Sequence, residues 1–342
     1  MVALTRSKSG PKVIPEVRKV LASFDDAMDA KETKVKVPRL KKTSSDLGTP
    51  SPKKSPKKIK IDYEDALHHI VVPDDYSLPK EFEEFHVAEF VKGLKHVIKQ
   101  DKSLYRAVVR ENFNSFARTT EPKKEGHELI SSYWYALISS VIGQQISGHA
   151  ARAVEKKFKD SFGDDEMNPE NTLKKSFDEL RAVGLSNMKT KYVISISEAF
   201  SDPKNKLTDP KFYEGPLEEI VEELVSLKGI GVWSAKMFAI FTLKEMDVFA
   251  EDDLGVARGM AKYVVRRPEV LEEVKRLAST DEQVKLLLKK KAKFAKKDSR
   301  RDWTPLHDEY VKLAALKYSP YRTALMMILW RIGSTNLDVF TN

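Results

Sequence analysis

Apolar residues recur every three or four positions through most of the chain, beginning near Leu78. This spacing puts them on one face of a helix and is typical of amphipathic helices packed against a core. The clearest runs are Val87, Phe90, Val91, Leu94 and Ile98, and then Trp134, Leu137, Ile138 and Val141. No convincing set of alternating apolar and polar residues predicts strands. The pattern therefore predicts an all-α fold.

The first 75 residues lack this periodicity and are predicted to form a disordered basic tail before a folded domain over residues 76–342. Residues 31–60 are rich in Lys, Pro and Ser and contain the near-repeat SPKKSPKK at 51–58. Too few apolar residues occur there to bury a core. A short amphipathic helix over 13–28 is the one candidate element. The basic clusters favour nuclear import receptors as partners, and so a nuclear protein, or loose phosphate contact; a solvated tail without a role is the alternative.

Positive charge is concentrated in this tail. The chain has 60 Lys and Arg against 51 Asp and Glu, a formal net charge of +9. Residues 1–60 hold 16 of the basic and 6 of the acidic residues, which leaves 44 and 45 for the rest. The folded domain is thus nearly neutral, and any nucleic-acid surface on it would need segregated charge.

Composition disfavours several classes of protein. The chain has no cysteine, which excludes disulfides, thiolate zinc sites and iron–sulfur clusters. Its seven histidines are scattered, and the adjacent pair His68 and His69 has no further ligand at a metal-binding spacing. No apolar run reaches the roughly 18 residues of a membrane span, and no secretory signal is found. We therefore expect a soluble protein without a metal or organic cofactor and without a membrane partner.

Residues 217–242 predict two helices joined by a tight turn. Leu217, Ile220 and Leu224 fall at helical spacing, and Gly-Ile-Gly at 229–231 leads directly into a second apolar helix. Two glycines around one apolar residue permit the turn, while Ile230 anchors it in the core. Plain helical hairpins also use glycine, so this pattern alone does not establish a function.

A turn of this kind, at a helix N-terminus, could bind the phosphate backbone of DNA through its outward-facing amides. The amides in question are those of Gly229, Gly231 and Ser234. Backbone carbonyls of the same turn could hold Na⁺ or K⁺ against that phosphate. These carbonyls belong to Val225, Leu227 and Ile230.

Three acidic residues, Glu251, Asp252 and Asp253, precede the next predicted helix. The helix dipole favours an ionised carboxylate at that position. The commoner role of such an aspartate is to cap the helix. One of the two aspartates can cap the helix while the other faces a substrate.

Together these motifs resemble the helix-hairpin-helix (HhH-GPD) DNA glycosylase superfamily, in which a Gly/Pro-rich loop and an aspartate follow the hairpin. More narrowly, residues 81–342 are similar to the 3-methyladenine DNA glycosylases of fungal alkylation repair. Further matching segments lie in order at residues 143–147, 180–185, 319–322 and 328–330. The resemblance implies two helical lobes with the active site in the cleft between them, and a monomer that acts on double-stranded DNA.

The resemblance also implies the reaction. A DNA-3-methyladenine glycosylase hydrolyses the N-glycosidic bond of alkylated purines, of the 3-methyladenine and 7-methylguanine type, after the nucleotide has rotated out of the duplex. Asp253 would be the catalytic carboxylate. Trp233, Met237 and Tyr321 would line the base pocket, where aromatic faces favour a cationic base.

Two further roles follow from the same resemblance. Gln144 or Gln145 matches the wedge that fills the gap left in the DNA stack; the alternative is that these side chains satisfy a helix end. Trp330 lies on an apolar helix and is predicted to belong to the core.

Departures from the superfamily pattern narrow the activity. Bifunctional relatives have a nucleophilic lysine two residues after the second hairpin glycine, where this chain has Trp233. Lys236 lies nearly one turn further on, so no lyase activity is expected. The loop at 244–247 is poorer in glycine than the superfamily label implies. A lysine-rich stretch over about 268–303 looks like an insertion relative to bacterial relatives, and no role is assigned to it.

Two other functions stay open at the level of sequence. A non-catalytic DNA-binding protein would use the hairpin only for phosphate contact and would not need Asp253. An oxidised-purine glycosylase would need a lysine in the hairpin.

Overall fold

The computed structural model describes residues 70–334, apart from 297 and 300. Within these residues the chain forms helices and no strand, with one isolated bridge between His86 and Ala117. The α-helices, in chain order α1 to α15, are Lys80–Phe85, Ala88–Gln100, Tyr105–Val109, Gly126–Gly143, Gly148–Asp160, Pro169–Leu173, Phe177–Ala182, Asn187–Ser201, Leu217–Ser226, Val232–Phe241, Leu254–Arg266, Pro268–Thr280, Glu282–Leu287, Asp308–Ala315 and Arg322–Gly333. The predicted all-α fold is confirmed. Most of the predicted tail, including the helix over 13–28, lies outside the described residues.

The helices form two hydrophobic cores, which confirms the expectation of two lobes. The central lobe is built from α4 to α9 and the first turns of α10. Trp134 of α4 is fully buried in it, and its indole N–H donates to the Ser197 hydroxyl of α8 (3.0 Å). A buried indole is stable only when its N–H is paired, so this bond fixes how α4 packs on α8.

The second lobe is discontinuous in sequence, because residues 78–116 pack with residues 239–332. Its centre is the pair α11 and α15, whose backbones lie in direct contact. A Cβ added at Gly259 would overlap the Leu329 carbonyl, and one added at Gly333 would overlap the Gly255 carbonyl. Small residues at these positions therefore allow an approach that any side chain would prevent.

Helix α10 belongs to both lobes. Ala235 and Phe238 lie in the central core, whereas Ala239 and Ile240 lie in the core of the discontinuous lobe. The second half of the hairpin therefore spans the boundary and brings its own exposed face to the junction of the lobes.

Hydrogen bonds hold the loop after α10 against the start of α15. The Arg322 guanidinium donates to the Asp247 carboxylate (2.7 Å from Nε), and the Thr323 hydroxyl donates to the Glu245 carbonyl (2.8 Å). Burial alone would raise the pKa of Asp247, but the bonds and charge of Arg322, with a bond from Ser319, outweigh it and lower that pKa. These side-chain contacts hold the loop against the first turn of α15.

A buried arginine shapes the loop that follows α3. Arg331 of α15 is 4% exposed, and its guanidinium donates to four main-chain carbonyls, those of Ala107, Val108, Glu111 and Asn112 (2.6–3.0 Å). It also lies over the Phe113 ring, 3.3 Å from the centroid. Cations at the C-terminal end of a helix stabilise its free carbonyls, and here the same group holds residues 110–113 against α15.

The lysine-rich stretch predicted as an insertion contains α12, α13 and an irregular segment. In that segment the Arg301 guanidinium lies over the Trp303 ring (4.9 Å), which meets Phe294 edge to face (6.1 Å). Asp302 pairs with Arg258 of α11 (3.1 Å). The segment is therefore folded onto the discontinuous lobe.

Candidate active site

The hairpin turn of residues 227–231 is fixed by its two glycines in different ways. Gly229 has φ of +91°, and a Cβ there would overlap the Tyr192 ring. Gly231 is the N-cap of α10 with an ordinary φ of −97°, and a Cβ there would meet nothing within 4 Å. The first-turn amides of α10, including that of Ser234, have no partner in the helix ladder.

The two predicted wedge residues have different surroundings. The Gln144 side-chain amide donates to the Gly229 carbonyl (2.8 Å), so this residue supports the hairpin turn. Gln145 is exposed and adopts φ of +59°, a conformation that non-glycine residues rarely take. The Lys189 ammonium donates to the Ile142 and Gln144 carbonyls (both 2.7 Å), and burial lowers the pKa of Lys189. Of the two glutamines, Gln145 is therefore the exposed one, and it lies in a loop that the Lys189 side chain holds in place.

Asp253 takes the capping role that the sequence left open to the two aspartates. It is the N-cap of α11, where its Oδ1 accepts from the Val256 amide (2.9 Å). Oδ1 also accepts from the Trp330 indole N–H (2.7 Å), and Oδ2 accepts from the Trp233 indole N–H (2.9 Å). Three donors fix the carboxylate at the lobe junction.

The neighbouring acids are paired with lysines. Glu251 meets Lys236 of α10 (3.2 Å), and both side chains are mostly buried, at 17% and 12% exposure. Asp252 meets Lys293 of the insertion (2.6 Å). Asp253 makes no ion pair within the described part of the chain. Of the three consecutive carboxylates it alone keeps a negative charge without a contacting cation.

Aromatic and thioether side chains extend from Asp253 along one face of α10. Trp233 is 43% exposed, and Met237 and Phe241 follow it at intervals of four residues, so the three share a face. The Phe241 ring lies parallel to the Trp330 ring (centroids 5.8 Å apart, 9° between planes). This face and Trp330 together form an aromatic wall beside the carboxylate.

Trp330 was predicted to be core only, and this prediction is incomplete. The indole is buried at 9% exposure, yet its N–H contacts Asp253. A buried tryptophan usually needs a partner for its N–H, which is the signal available in the sequence. The identity of that partner, 77 residues away, is not readable from it.

The prediction that Tyr321 lines the base pocket stays a prediction. Tyr321 immediately precedes α15, nine residues before Trp330, which places it about 13 Å away along the helix. Its hydroxyl donates to the Glu89 carboxylate of α2 (2.9 Å), and its ring packs against Gly93. Tyr321 thus joins α15 to α2 at the far end of the helix from the carboxylate.

A pocket opens beside the aromatic wall. Its lining consists of residues 111–115 on one side and, on the other, Phe241, Met327, Trp330, Arg331 and Ser334. Trp330 belongs both to the lining of this pocket and to the contacts of Asp253, so the pocket lies beside one of the two indoles that hold the carboxylate. No cluster of side chains suited to a metal ion occurs among the residues that the structure describes. In the same residues no helix has the length and apolar character to cross a membrane.

Comparison with known proteins gives consistent matches. Residues 138–293 match the family described as "HhH-GPD superfamily base excision DNA repair protein". A DNA-3-methyladenine glycosylase of Saccharomyces cerevisiae is 31% identical over 277 residues, which cover 78% of this chain and 87% of that protein. DNA-3-methyladenine glycosylase 1 of Schizosaccharomyces pombe is 31% identical over 156 residues, or 43% of this chain and 61% of that protein. A crystal structure of a Bacillus halodurans DNA-3-methyladenine glycosidase is 22% identical, with a TM-score of 0.48 over 71% of this chain and 89% of its own.

Proposed function

Because this chain belongs to the HhH-GPD superfamily of base excision DNA repair proteins, and within it to the DNA-3-methyladenine glycosylases, we propose that it excises alkylated purines from double-stranded DNA by hydrolysis. The substrates are lesions of the 3-methyladenine and 7-methylguanine type. The observation that carries the proposal is the position of Asp253, an anion held by two indole N–H groups at the junction of the lobes.

Access to the glycosidic bond requires the damaged nucleotide to leave the stack. The amides at the start of α10 and the open space before Gly231 suit a phosphate next to the lesion. Gln145 projects from the loop that Lys189 braces and would occupy the gap in the duplex. These contacts position the DNA without reading its sequence.

The aromatic wall would then receive the extruded base. Alkylation at N3 or N7 gives a purine a positive charge, and electron-rich ring faces attract cations by about 0.5–2 kcal/mol. Trp330 and Phe241 line the pocket, and the exposed ring of Trp233 lies beside Asp253.

Asp253 supports hydrolysis by its charge. As the glycosidic bond breaks, the deoxyribose becomes oxocarbenium-like, and a fixed carboxylate stabilises that cation. The cationic purine is already a good leaving group, so little acid catalysis is needed. Lys236, the lysine nearest to the lyase position, is engaged by Glu251, and Trp233 has no amine that could form a Schiff base. The proposed enzyme is therefore monofunctional.

Three further properties belong to the same proposal. Carbonyls of Val225, Leu227 and Ile230 are suited to hold Na⁺ or K⁺ beside the bound phosphate; the Leu227 carbonyl already faces the turn, where the Ile230 amide donates to it (3.1 Å). The basic clusters of the tail suit nuclear import receptors and a nuclear location. The enzyme works as a monomer.

The Asp253→Asn variant tests the role of the carboxylate. Asparagine caps a helix as well as aspartate does, so the fold should persist while the charge is lost. We expect release of 3-methyladenine and 7-methylguanine from methylated duplex to fall by roughly 100-fold or more.

Binding of Asp253→Asn to an abasic-site duplex serves as the control and should stay close to that of the wild type. Full excision by this variant would refute the assignment. A wild-type protein that binds DNA and releases no base would instead favour the non-catalytic DNA-binding function. Borohydride trapping of a covalent adduct would favour the oxidised-purine enzyme.

A further inference from the structure

We propose that Glu111 binds the positive charge of the alkylated purine and so distinguishes damaged from undamaged bases. This inference rests on the proposed function and names a recognition group within the same site. Glu111 belongs to the loop after α3 and lines the pocket opposite Phe241 and Trp330.

The carboxylate of Glu111 has an unusual environment. Its Oε1 atom is buried and has no hydrogen-bond partner within the described residues. A buried polar atom without a partner is destabilising, and more so when it carries charge. Because Glu111 lines the pocket, a ligand bound there could supply the missing donor once the side chain turns toward it.

The position of this carboxylate is set by the main chain beneath it. Arg331 donates to the Glu111 and Asn112 carbonyls (2.6 and 3.0 Å), so the guanidinium contacts the backbone here. The Phe113 amide donates to Nε2 of the buried His86 ring (2.8 Å), which holds the next residue of the loop. The loop is thus braced on both sides of the glutamate.

The chemistry fits a cationic purine. Methylation at N3 or N7 spreads positive charge over the ring and onto the exocyclic amino group, whose N–H becomes a stronger donor. A carboxylate accepts from such a donor in a charge-assisted hydrogen bond, roughly twice as strong as a neutral one. The normal bases offer the same amino groups without the charge, so Glu111 would favour the methylated base over its parent.

The step that Glu111 assists is selection of the base and not bond cleavage. As the glycosidic bond breaks, its electron pair moves onto the purine and the positive charge disappears. A nearby anion therefore stabilises the bound cation more than the transition state. Equilibrium binding is accordingly the measurement that reports on Glu111.

Glu111→Gln removes the charge and keeps the size of the side chain. The probe is a duplex with 7-methylguanine on a 2′-fluorinated sugar, which resists cleavage, paired with the same duplex carrying unmethylated guanine. We expect Kd for the methylated duplex to rise by roughly tenfold or more, since hydrogen bonds to charged groups have effects of that size. Kd for the unmethylated duplex should stay unchanged.

Two controls separate the possible outcomes. Glu121→Gln alters an exposed glutamate outside the pocket and should leave both Kd values unchanged. Binding of Glu111→Gln to an abasic-site duplex, which contains no base, should match the wild type and shows that the variant is folded. An undiminished preference of Glu111→Gln for the methylated duplex overturns the inference, even if the wild type releases methylated bases. Absence of base release by the wild type would instead overturn the proposed function.

Discussion

Asp253 depends on groups from three separate parts of the chain. The Val256 amide comes from its own helix, Trp233 from the hairpin and Trp330 from the last helix. Each donor removes one direction in which the carboxylate could turn.

Trp330→Phe tests the contribution of one donor. Phenylalanine keeps an aromatic ring against Phe241 and loses the N–H, so Oδ1 of Asp253 retains only the Val256 amide. Removing a hydrogen bond to a charged group costs about 1.5–3 kcal/mol. We expect the single-turnover rate of base release to fall by roughly tenfold or more at saturating enzyme.

Trp134→Phe is the matched control, because it also deletes a buried indole N–H, in this case the donor to Ser197 in the central lobe. Both variants should lower the melting temperature, and only Trp330→Phe should slow base release. Equal rates in the two variants would show that the Trp330 contact does not support catalysis.

At the level of the element, the two glycines of the hairpin turn have different roles. Gly229 is needed for the backbone conformation of the turn, and Gly231 leaves the surface in front of the turn open. Gly229 needs a positive φ and the space against Tyr192, whereas Gly231 has an ordinary backbone and empty space before it. The same substitution at the two positions should therefore have different effects.

Gly229→Ala should lower the free energy of unfolding by roughly 1–3 kcal/mol, through strain at positive φ and the clash with Tyr192. Gly231→Ala should leave the free energy of unfolding within about 0.5 kcal/mol of the wild type. Its added methyl group stands where a phosphate would approach, so its affinity for duplex DNA should fall. Chemical unfolding and fluorescence anisotropy measure the two effects. Unchanged DNA affinity in Gly231→Ala would argue against phosphate binding at this turn.

Much of this element could be predicted from sequence, since helical spacing and paired glycines are local signals. The capping position of Asp253 is local for the same reason. Trp330 and Glu111 contact residues that are far apart from them in the chain. The periodicity of apolar residues does not predict such contacts. The pocket role of Tyr321 stays a prediction, because an aromatic residue in a matching motif does not reveal toward which neighbour it turns.

On the scale of the whole molecule, the lysine-rich insertion lies next to the proposed active site. Lys293 pairs with Asp252, and its amide donates to Asp308 (2.8 Å). The exposed side chains of Lys289, Lys291 and Lys296 lie close by in the chain. DNA whose nucleotide reaches Asp253 would pass near this positive surface.

Replacing Lys289, Lys291 and Lys296 by glutamine should weaken DNA binding in a salt-dependent way. Each phosphate contact contributes about 0.9 to the slope of log K against log salt concentration. We expect the slope to become shallower by roughly one to three, with little change in the rate of base release at saturating enzyme. Binding titrations over a range of salt concentrations measure this slope.

Replacement of Lys99, Lys204 and Lys211, which are also exposed and lie outside the insertion, is the control and removes the same charge. A slope change of equal size in both triple variants would mean that only net charge matters.

The backbone contact between α11 and α15 limits how such a scaffold can acquire new substrates. Neither helix can slide past the other while Gly259 touches Leu329, so Asp253 and Trp330 form a rigid half of the site. The other side of the pocket, residues 111–115, belongs to a loop outside these two helices, so its side chains can be trimmed or enlarged without parting the helices. Substitutions in the variable side of the pocket could therefore change which lesions homologous proteins accept. The positions of Asp253 and Trp330 would stay the same.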